Sequence, residues 1–143
     1  MTKEGLMDET VLGPEAGPLM RARLHIRGGK RRLRQGKISA GIVTLFDAFE
    51  AAMKWYIALP SRRGSLDIRK GDDMTDEKTM FDVLRRSGII DARFNYDSFN
   101  SLVERALKEE MTDYDYGDLL EGIESVMTQL GVMPFDEAGL PAE

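Results

Sequence analysis

Apolar residues recur at spacings of three and four along most of the chain, which is the pattern of amphipathic helices. A first helix is predicted to open at Gly17 and Pro18 and to end near residue 34, and a second to run from Lys37 to Leu59. The second is apolar on most of its circumference, which is typical of a buried central helix. Pro60 ends it, because the residue before a proline disfavours the helical region.

Three shorter helices are predicted in the second half of the chain, over residues 76–87, 98–110 and 112–130. Residues that favour helix N-caps precede them, namely Thr75 or Asp76, Asp97 or Ser98, and Thr112 with Asp115 as a capping box. Gly88 and Gly131 are each followed by an apolar residue, which is typical of a left-handed helix end.

Two segments between the predicted helices lack the helical spacing of apolar residues. Residues 60–75 are polar and contain glycines, which predicts a long surface loop. Residues 89–96 alternate with a period of two but lack a good strand partner, so we expect an extended connection that pins Ile90 and Phe94 into the core. The predicted fold class is therefore all-α, an antiparallel up-and-down bundle of about five helices.

The length and composition indicate one domain. With 143 residues, 42% of them hydrophobic, the chain can build one core but not two. We expect a flexible N-terminal segment over residues 1–16, a single helical-bundle domain over 17–132 and a flexible C-terminal tail over 133–143. Charges interrupt the longest apolar stretch and the N-terminus does not resemble a signal peptide, so we expect a cytoplasmic protein with no membrane contact.

Gly28 and Gly29 lie inside the first predicted helix, where each costs about 1 kcal/mol of helix propensity relative to alanine. Such a pair indicates either a kink or the close approach of another helix. We expect Gly29 to lie where the first helix crosses the central one, near Leu45 or Phe49, because a missing side chain lets two backbones approach.

The residue types that several kinds of chemistry need are scarce. The chain has no cysteine, which excludes disulfides, thiolate catalysis and cysteine-ligated metals. Its one histidine, His25, lies among basic residues in the first helix, where a structural role is favoured over a catalytic one. The pattern places no carboxylate in an apolar pocket that would raise its pKa. We therefore expect no catalytic residue, no cofactor and no metal.

The net charge of −5 hides a strong asymmetry. Residues 16–46 include eight basic residues and no acidic one, whereas residues 97–143 include twelve acidic residues and two basic ones. Four of the basic residues fall at helical spacing and predict a stripe suited to phosphates or an acidic partner: Arg27, Lys30, Arg31 and Arg34. The alternative, which we favour, is that the acidic C-terminal helix lies nearby and neutralises the stripe, since no aromatic residue accompanies it.

The segment from Leu19 to Leu59 combines a basic helix, an Arg-Gln-Gly-Lys turn and a long helix rich in alanine and aromatic residues. It resembles the first two helices of HEPN-type domains, and residues 78–84 and 116–130 are similar in placement to the third and last helices of that group. The resemblance implies a helical bundle, often dimeric, that accompanies a nucleotidyltransferase or acts as a metal-independent ribonuclease. The ribonucleases of this group need an arginine a few residues before a histidine that lies late in the bundle. His25 does not fit that pattern, so no catalytic residue carries over.

These observations predict a non-enzymatic helical interaction module that acts as a homodimer or as the partner of another subunit, such as a nucleotidyltransferase. The basis is the apolar surface of the central helix, which we expect the other helices to leave partly uncovered. The alternative is a nucleotide- or RNA-binding protein that uses the basic first helix.

Overall fold

The computed structural model describes the backbone of residues 9–142 and the side chains of residues 16–142. This part of the chain forms six α-helices and one 3-10 turn, and it contains no strand. The elements are α1 (Glu9–Arg34), α2 (Ile38–Ala58), α3 (Pro60–Arg63), α4 (Glu77–Arg86), α5 (Tyr96–Lys108), α6 (Gly117–Gln129) and the turn Glu137–Gly139. The predicted all-α bundle is confirmed. Its first helix begins at Glu9, within the N-terminal segment that we predicted to be flexible over residues 1–16, and residues 1–8 of that segment lie outside the described residues.

α1 and α2 form an antiparallel hairpin, joined by a tight turn in which Gly36 has a φ of 78°. A Cβ on Gly29 of α1 would lie 2.8 Å from Cγ of Leu45 on α2. In the opposite direction, a Cβ on Gly41 of α2 would lie 2.8 Å from Cγ of Leu33 on α1. Each leucine fills the space above a glycine of the facing helix, so the expected position of Gly29 at the helix crossing is confirmed.

α2 is the central helix of the bundle. Thirteen of its 21 residues are buried. Its exposed residues are Ala40, Asp47 and Lys54, which lie seven positions apart and therefore form one narrow strip along the helix. We expected the other helices to leave apolar surface of α2 partly uncovered, but they cover most of it. None of its large apolar side chains is exposed, and Val43 and Tyr56 are half-buried.

An aromatic cluster surrounds Phe49 in the middle of α2. Its ring centroid lies 5.1 Å from that of Phe94, and the rings of Phe81, Tyr96 and Phe99 lie within 6.4 Å. These distances are typical of packed aromatic pairs. Ile90 is buried and Phe94 is half-buried beside Phe49, which confirms that the connection between α4 and α5 is pinned into the core.

The segment predicted as a loop over residues 60–75 begins with the short helix α3 instead. Pro60 takes the first position of this helix, where its missing N–H costs no hydrogen bond. Arg86, at the end of α4, holds the rest of the segment in place. Its Nε donates to the carbonyl of Asp67 at 3.1 Å, and its Nη2 donates to Oδ2 of Asp72 at 2.7 Å.

The helix starts were only partly predictable. Asp76 caps α4 as expected. α5 begins earlier than expected, with Asn95 as its cap rather than Asp97 or Ser98, because Tyr96 is buried in the aromatic cluster at the first helical position. Capping residues recur along this segment, and packing decides which one is used.

α6 begins at Gly117, later than a Thr112 capping box would place it, and Asp115 accepts a hydrogen bond of 3.1 Å from the Gly117 N–H. The predicted helix ends are confirmed, since Gly88 and Gly131 have φ values of 79° and 84°. Within residues 9–142, no helix is both long enough and apolar enough to span a membrane.

Candidate functional site

Two residues of the predicted basic stripe on α1, Arg27 and Lys30, contact the C-terminal part of the chain. Nζ of Lys30 lies 3.8 Å from Oε2 of Glu124 on α6 and 3.8 Å from Oε1 of Glu137. Nη2 of Arg27 donates a hydrogen bond of 2.7 Å to the carbonyl of Pro141. The acidic C-terminal helix therefore lies beside the stripe, where its carboxylates can neutralise the basic side chains of α1.

The other predicted residues of α1 are spread along the helix. Arg31 and His25 are half-buried, whereas Arg34 is exposed at the helix end. Nearby, Nε of Arg23 donates to the carbonyl of Val132 at 3.2 Å, and its guanidinium lies 5.4 Å from the ring centroid of Phe135. Residues after 132, which we assigned to a flexible tail, thus contact α1. Their flexibility and the phosphate binding of the stripe both stay predictions.

A pair of carboxyl groups links α2 to the start of α4. Burial raises the pKa of Glu50 to about 7, and a hydrogen bond from its protonated form to the Glu77 carboxylate adds to the shift. Repulsion from Asp47 acts in the same direction, and the charge of Lys54 opposes it. Our expectation that no carboxyl group lies where its pKa is raised is wrong at this position.

The charged surroundings of Glu50 also affect Tyr96. Burial, followed by the charge of Glu77, also raises the pKa of Tyr96 to about 12. A group with a pKa near 7 is suited to acid–base chemistry only where substrate can reach it. Neither Glu50 nor Glu77 lines the cleft described next. Among the described residues, no three histidine or acidic side chains are arranged to hold a metal.

A cleft of about 540 Å³ opens between α5 and α6. Both helices pack on α2, and the cleft separates them from each other. Its apolar and aromatic lining consists of Phe94, Phe99, Leu102, Tyr114, Leu119 and Val126. The volume lies within the range of about 300–1,000 Å³ that is typical of ligand sites.

The rim of this cleft is polar and mainly acidic. Asp118 and Glu121 are exposed on the α6 side. The one basic residue of the lining, Arg93, lies 2.8 Å from Asp91, and its hydrogen bond lowers the pKa of that carboxyl. Gln129 fixes the same end of the cleft, since it accepts from the Asp91 N–H at 2.9 Å and donates to Oδ2 of Asp91 at 3.0 Å.

Gly122 lies in the wall of the cleft, within α6. Apart from Gly122 itself, its two chain neighbours and the adjacent backbone of α6, no heavy atom of the described residues lies within 4 Å of the position that its Cβ would take. Gly29 and Gly41 differ from it, because a leucine of the facing helix occupies the equivalent space at each of them. The described structure therefore contains no packing reason for a glycine at position 122.

Comparison with known proteins found no relative. No protein-family model matches the sequence, and neither a curated protein nor a solved structure is significantly similar to the chain. The likeness to HEPN-type domains is therefore supported only at the coarser level of an all-helical bundle.

Sequence reasoning missed both the cleft and the carboxyl pair. Apolar spacing within the helices over residues 98–110 and 112–130 predicts that Leu102, Leu107 and Leu119 face inward. Instead, Leu107 is 69% exposed and the other two line the cleft. The available signal for the cleft was that α5 and α6 each have more apolar positions than packing on α2 requires. For the carboxyl pair, the signal was the presence of Asp47 and Glu50 in an otherwise apolar helix.

Proposed function

We propose that this chain is a non-enzymatic helical interaction module that acts as a homodimer or as the partner of another subunit. The observation that carries the proposal is the cleft between α5 and α6. Apolar side chains remain accessible there, although the central helix is covered. An apolar recess with a polar rim on an otherwise polar surface is typical of a binding site.

A nucleotidyltransferase is the partner class that the likeness to HEPN-type domains implies, and the all-helical bundle is compatible with it. The absence of cysteine is consistent with a reducing compartment such as the cytoplasm. The carboxyl pair of Glu50 and Glu77 lies outside the cleft, which favours a binding role over a catalytic one.

The alternative, binding of RNA or nucleotides by α1, is less well supported. A phosphate at Lys30 would compete with Glu124 and Glu137, and a phosphate at Arg27 would compete with the carbonyl of Pro141. Phosphate binding gains most where several basic side chains face solvent together. The contacts of α1 with the C-terminal residues work against that arrangement.

Light scattering over a dilution series, combined with site-specific cross-linking, tests the proposal. A photoreactive residue in place of Leu102, inside the cleft, is expected to cross-link a second copy or a defined partner protein in the cells that produce the chain. The same residue in place of the exposed Ala40 on α2 is the matched control and should not do so. A strictly monomeric protein with no cross-link specific to position 102 would contradict the proposal.

A further inference from the structure

We propose that the cleft between α5 and α6 receives a basic amphipathic helix of a partner protein, and that this helix crosses α6 at Gly122. The inference rests on the proposed interaction function and specifies what binds. Three properties of the cleft support it, namely the glycine in its wall, its shape and the charge of its rim.

Gly122 is the first of these properties. Glycine inside a helix costs about 1 kcal/mol relative to alanine, and its missing side chain lets the backbone of a facing helix approach closely. A positive φ does not require it, since only Gly36, Gly71, Gly88 and Gly131 adopt one among the described glycines. Two other helical glycines, Gly29 of α1 and Gly41 of α2, are each covered by a leucine of the facing helix. The same reasoning at Gly122 points to a facing helix from outside the described chain.

The shape of the cleft matches a helix. Leu119, Gly122 and Val126 follow one another at spacings of three and four along one face of α6, and Leu102 faces them from α5. A helix that binds in a groove inserts side chains at spacings of three, four and seven residues. Such a helix would bury the cleft lining and occupy a position between α5 and α6 that the bundle leaves vacant.

The charge of the rim selects a basic helix. Asp118 and Glu121 lie on the α6 side, and Asp113 and Asp115 precede α6 next to Tyr114 of the lining. Arg93 is engaged by Asp91. An acidic segment or a nucleic acid would be repelled by this rim, whereas lysine and arginine on a bound helix would be attracted to it. These charges distinguish a basic partner from an acidic one.

A synthetic amphipathic Leu/Lys helix of about 18 residues is a suitable probe, because it is long enough to form a stable helix when bound. A Leu/Glu peptide with the same spacing is the control. Titration of the isotope-labelled full chain is expected to shift the amide resonances of Gly122 and Ser125, which line the cleft. Only the Leu/Lys peptide should bind, and its affinity should fall with added salt.

Substitutions at Gly122 then test the crossing point. Gly122→Leu fills the cleft from a position with open space, so it should leave the fold intact and weaken peptide binding about tenfold. Gly122→Ala should weaken binding less. Ala40→Leu adds the same side chain to an exposed position outside the cleft and should leave affinity unchanged. Asp118→Asn combined with Glu121→Gln should weaken binding about threefold and reduce its salt dependence.

Equal binding of the two peptides, shifts outside the cleft or unchanged affinity of Gly122→Leu would overturn the inference. So would dimerisation of the chain through the cleft, detected as a concentration-dependent mass that Gly122→Leu lowers. In that last case the interaction function would stand while its occupant would be a second copy. Failure of the interaction function itself would be distinguished by the cross-linking experiment at position 102, which does not depend on a basic partner.

Discussion

The backbone N–H of Met111 donates a hydrogen bond of 2.9 Å to Oγ of Ser39. The same hydroxyl donates to the carbonyl of Glu109 at 2.6 Å, and the Ser39 N–H donates to Oε1 of Glu110 at 3.2 Å. Ser39 is buried at the start of α2, whereas Met111 belongs to the connection between α5 and α6. One serine therefore joins the central helix to the segment that positions one end of the cleft.

Replacement of Ser39 by alanine should lower the free energy of unfolding by about 1–3 kcal/mol, because the buried Met111 N–H loses its acceptor. Chemical denaturation measures this difference. Ser101→Ala, on the exposed side of α5, is the matched control and should change stability by less than about 0.5 kcal/mol. If the two variants were equally stable, the Ser39 hydrogen bonds would contribute nothing to the fold.

The contact between Gly29 and Leu45 gives a second prediction. Gly29→Leu should destabilise the protein by about 1–3 kcal/mol, since any Cβ at this position lies 2.8 Å from Leu45 Cγ and the core must shift. Thermal or chemical unfolding measures the effect.

Gly122→Ala is the matched control for this prediction, because it also replaces a helical glycine. It has open space around the new Cβ and should raise the free energy of unfolding by about 1 kcal/mol through helix propensity. An unchanged or higher melting temperature of Gly29→Leu would contradict the close contact of α1 with α2.

Gly29 and Gly122 illustrate which features of the fold the sequence can predict and which it cannot. Apolar spacing identifies α1 and α2 as neighbours and places Gly29 at their crossing, since both helices are long and strongly periodic. It cannot tell that Gly122 faces an open cleft, because Leu119 and Val126 have the spacing of an ordinary buried face. The start of α5 at Tyr96 depends likewise on packing around Phe49, which no local pattern records.

The raised pKa of Glu50 predicts how stability depends on pH. The native state binds this proton more tightly than the unfolded chain, in which the pKa is near the ordinary 4.5. The stabilising contribution of the protonated group is therefore complete below about pH 4.5 and is lost as the pH rises through about 7. Although Asp47 is exposed, the partial loss of water around its carboxyl group and the charge of Glu77 raise its pKa as well, so its contribution has the same sign.

Glu50→Gln should remove most of this pH dependence. The variant is expected to be more stable than the wild type at pH 8, because no half-buried carboxylate has to form beside Glu77, and the difference should shrink towards pH 5. Denaturation curves across this range measure it, with the exposed Glu104→Gln as the control. A variant that is less stable than the wild type at pH 8 would mean that the Glu50 carboxylate is favoured by its surroundings.

The contacts of Lys30 and Arg27 with the C-terminal residues predict weak binding of RNA. At about 50 mM salt, fluorescence anisotropy of a labelled single-stranded RNA should change little on addition of the protein, since Glu124, Glu137 and the carbonyl of Pro141 lie beside Lys30 and Arg27. Lys30→Gln should leave this result unchanged. Tight binding that falls steeply with salt, and whose salt dependence is reduced when Arg31 and Arg34 are replaced by glutamine, would instead favour the RNA-binding alternative. It would show that phosphates displace the carboxylates of Glu124 and Glu137 from α1.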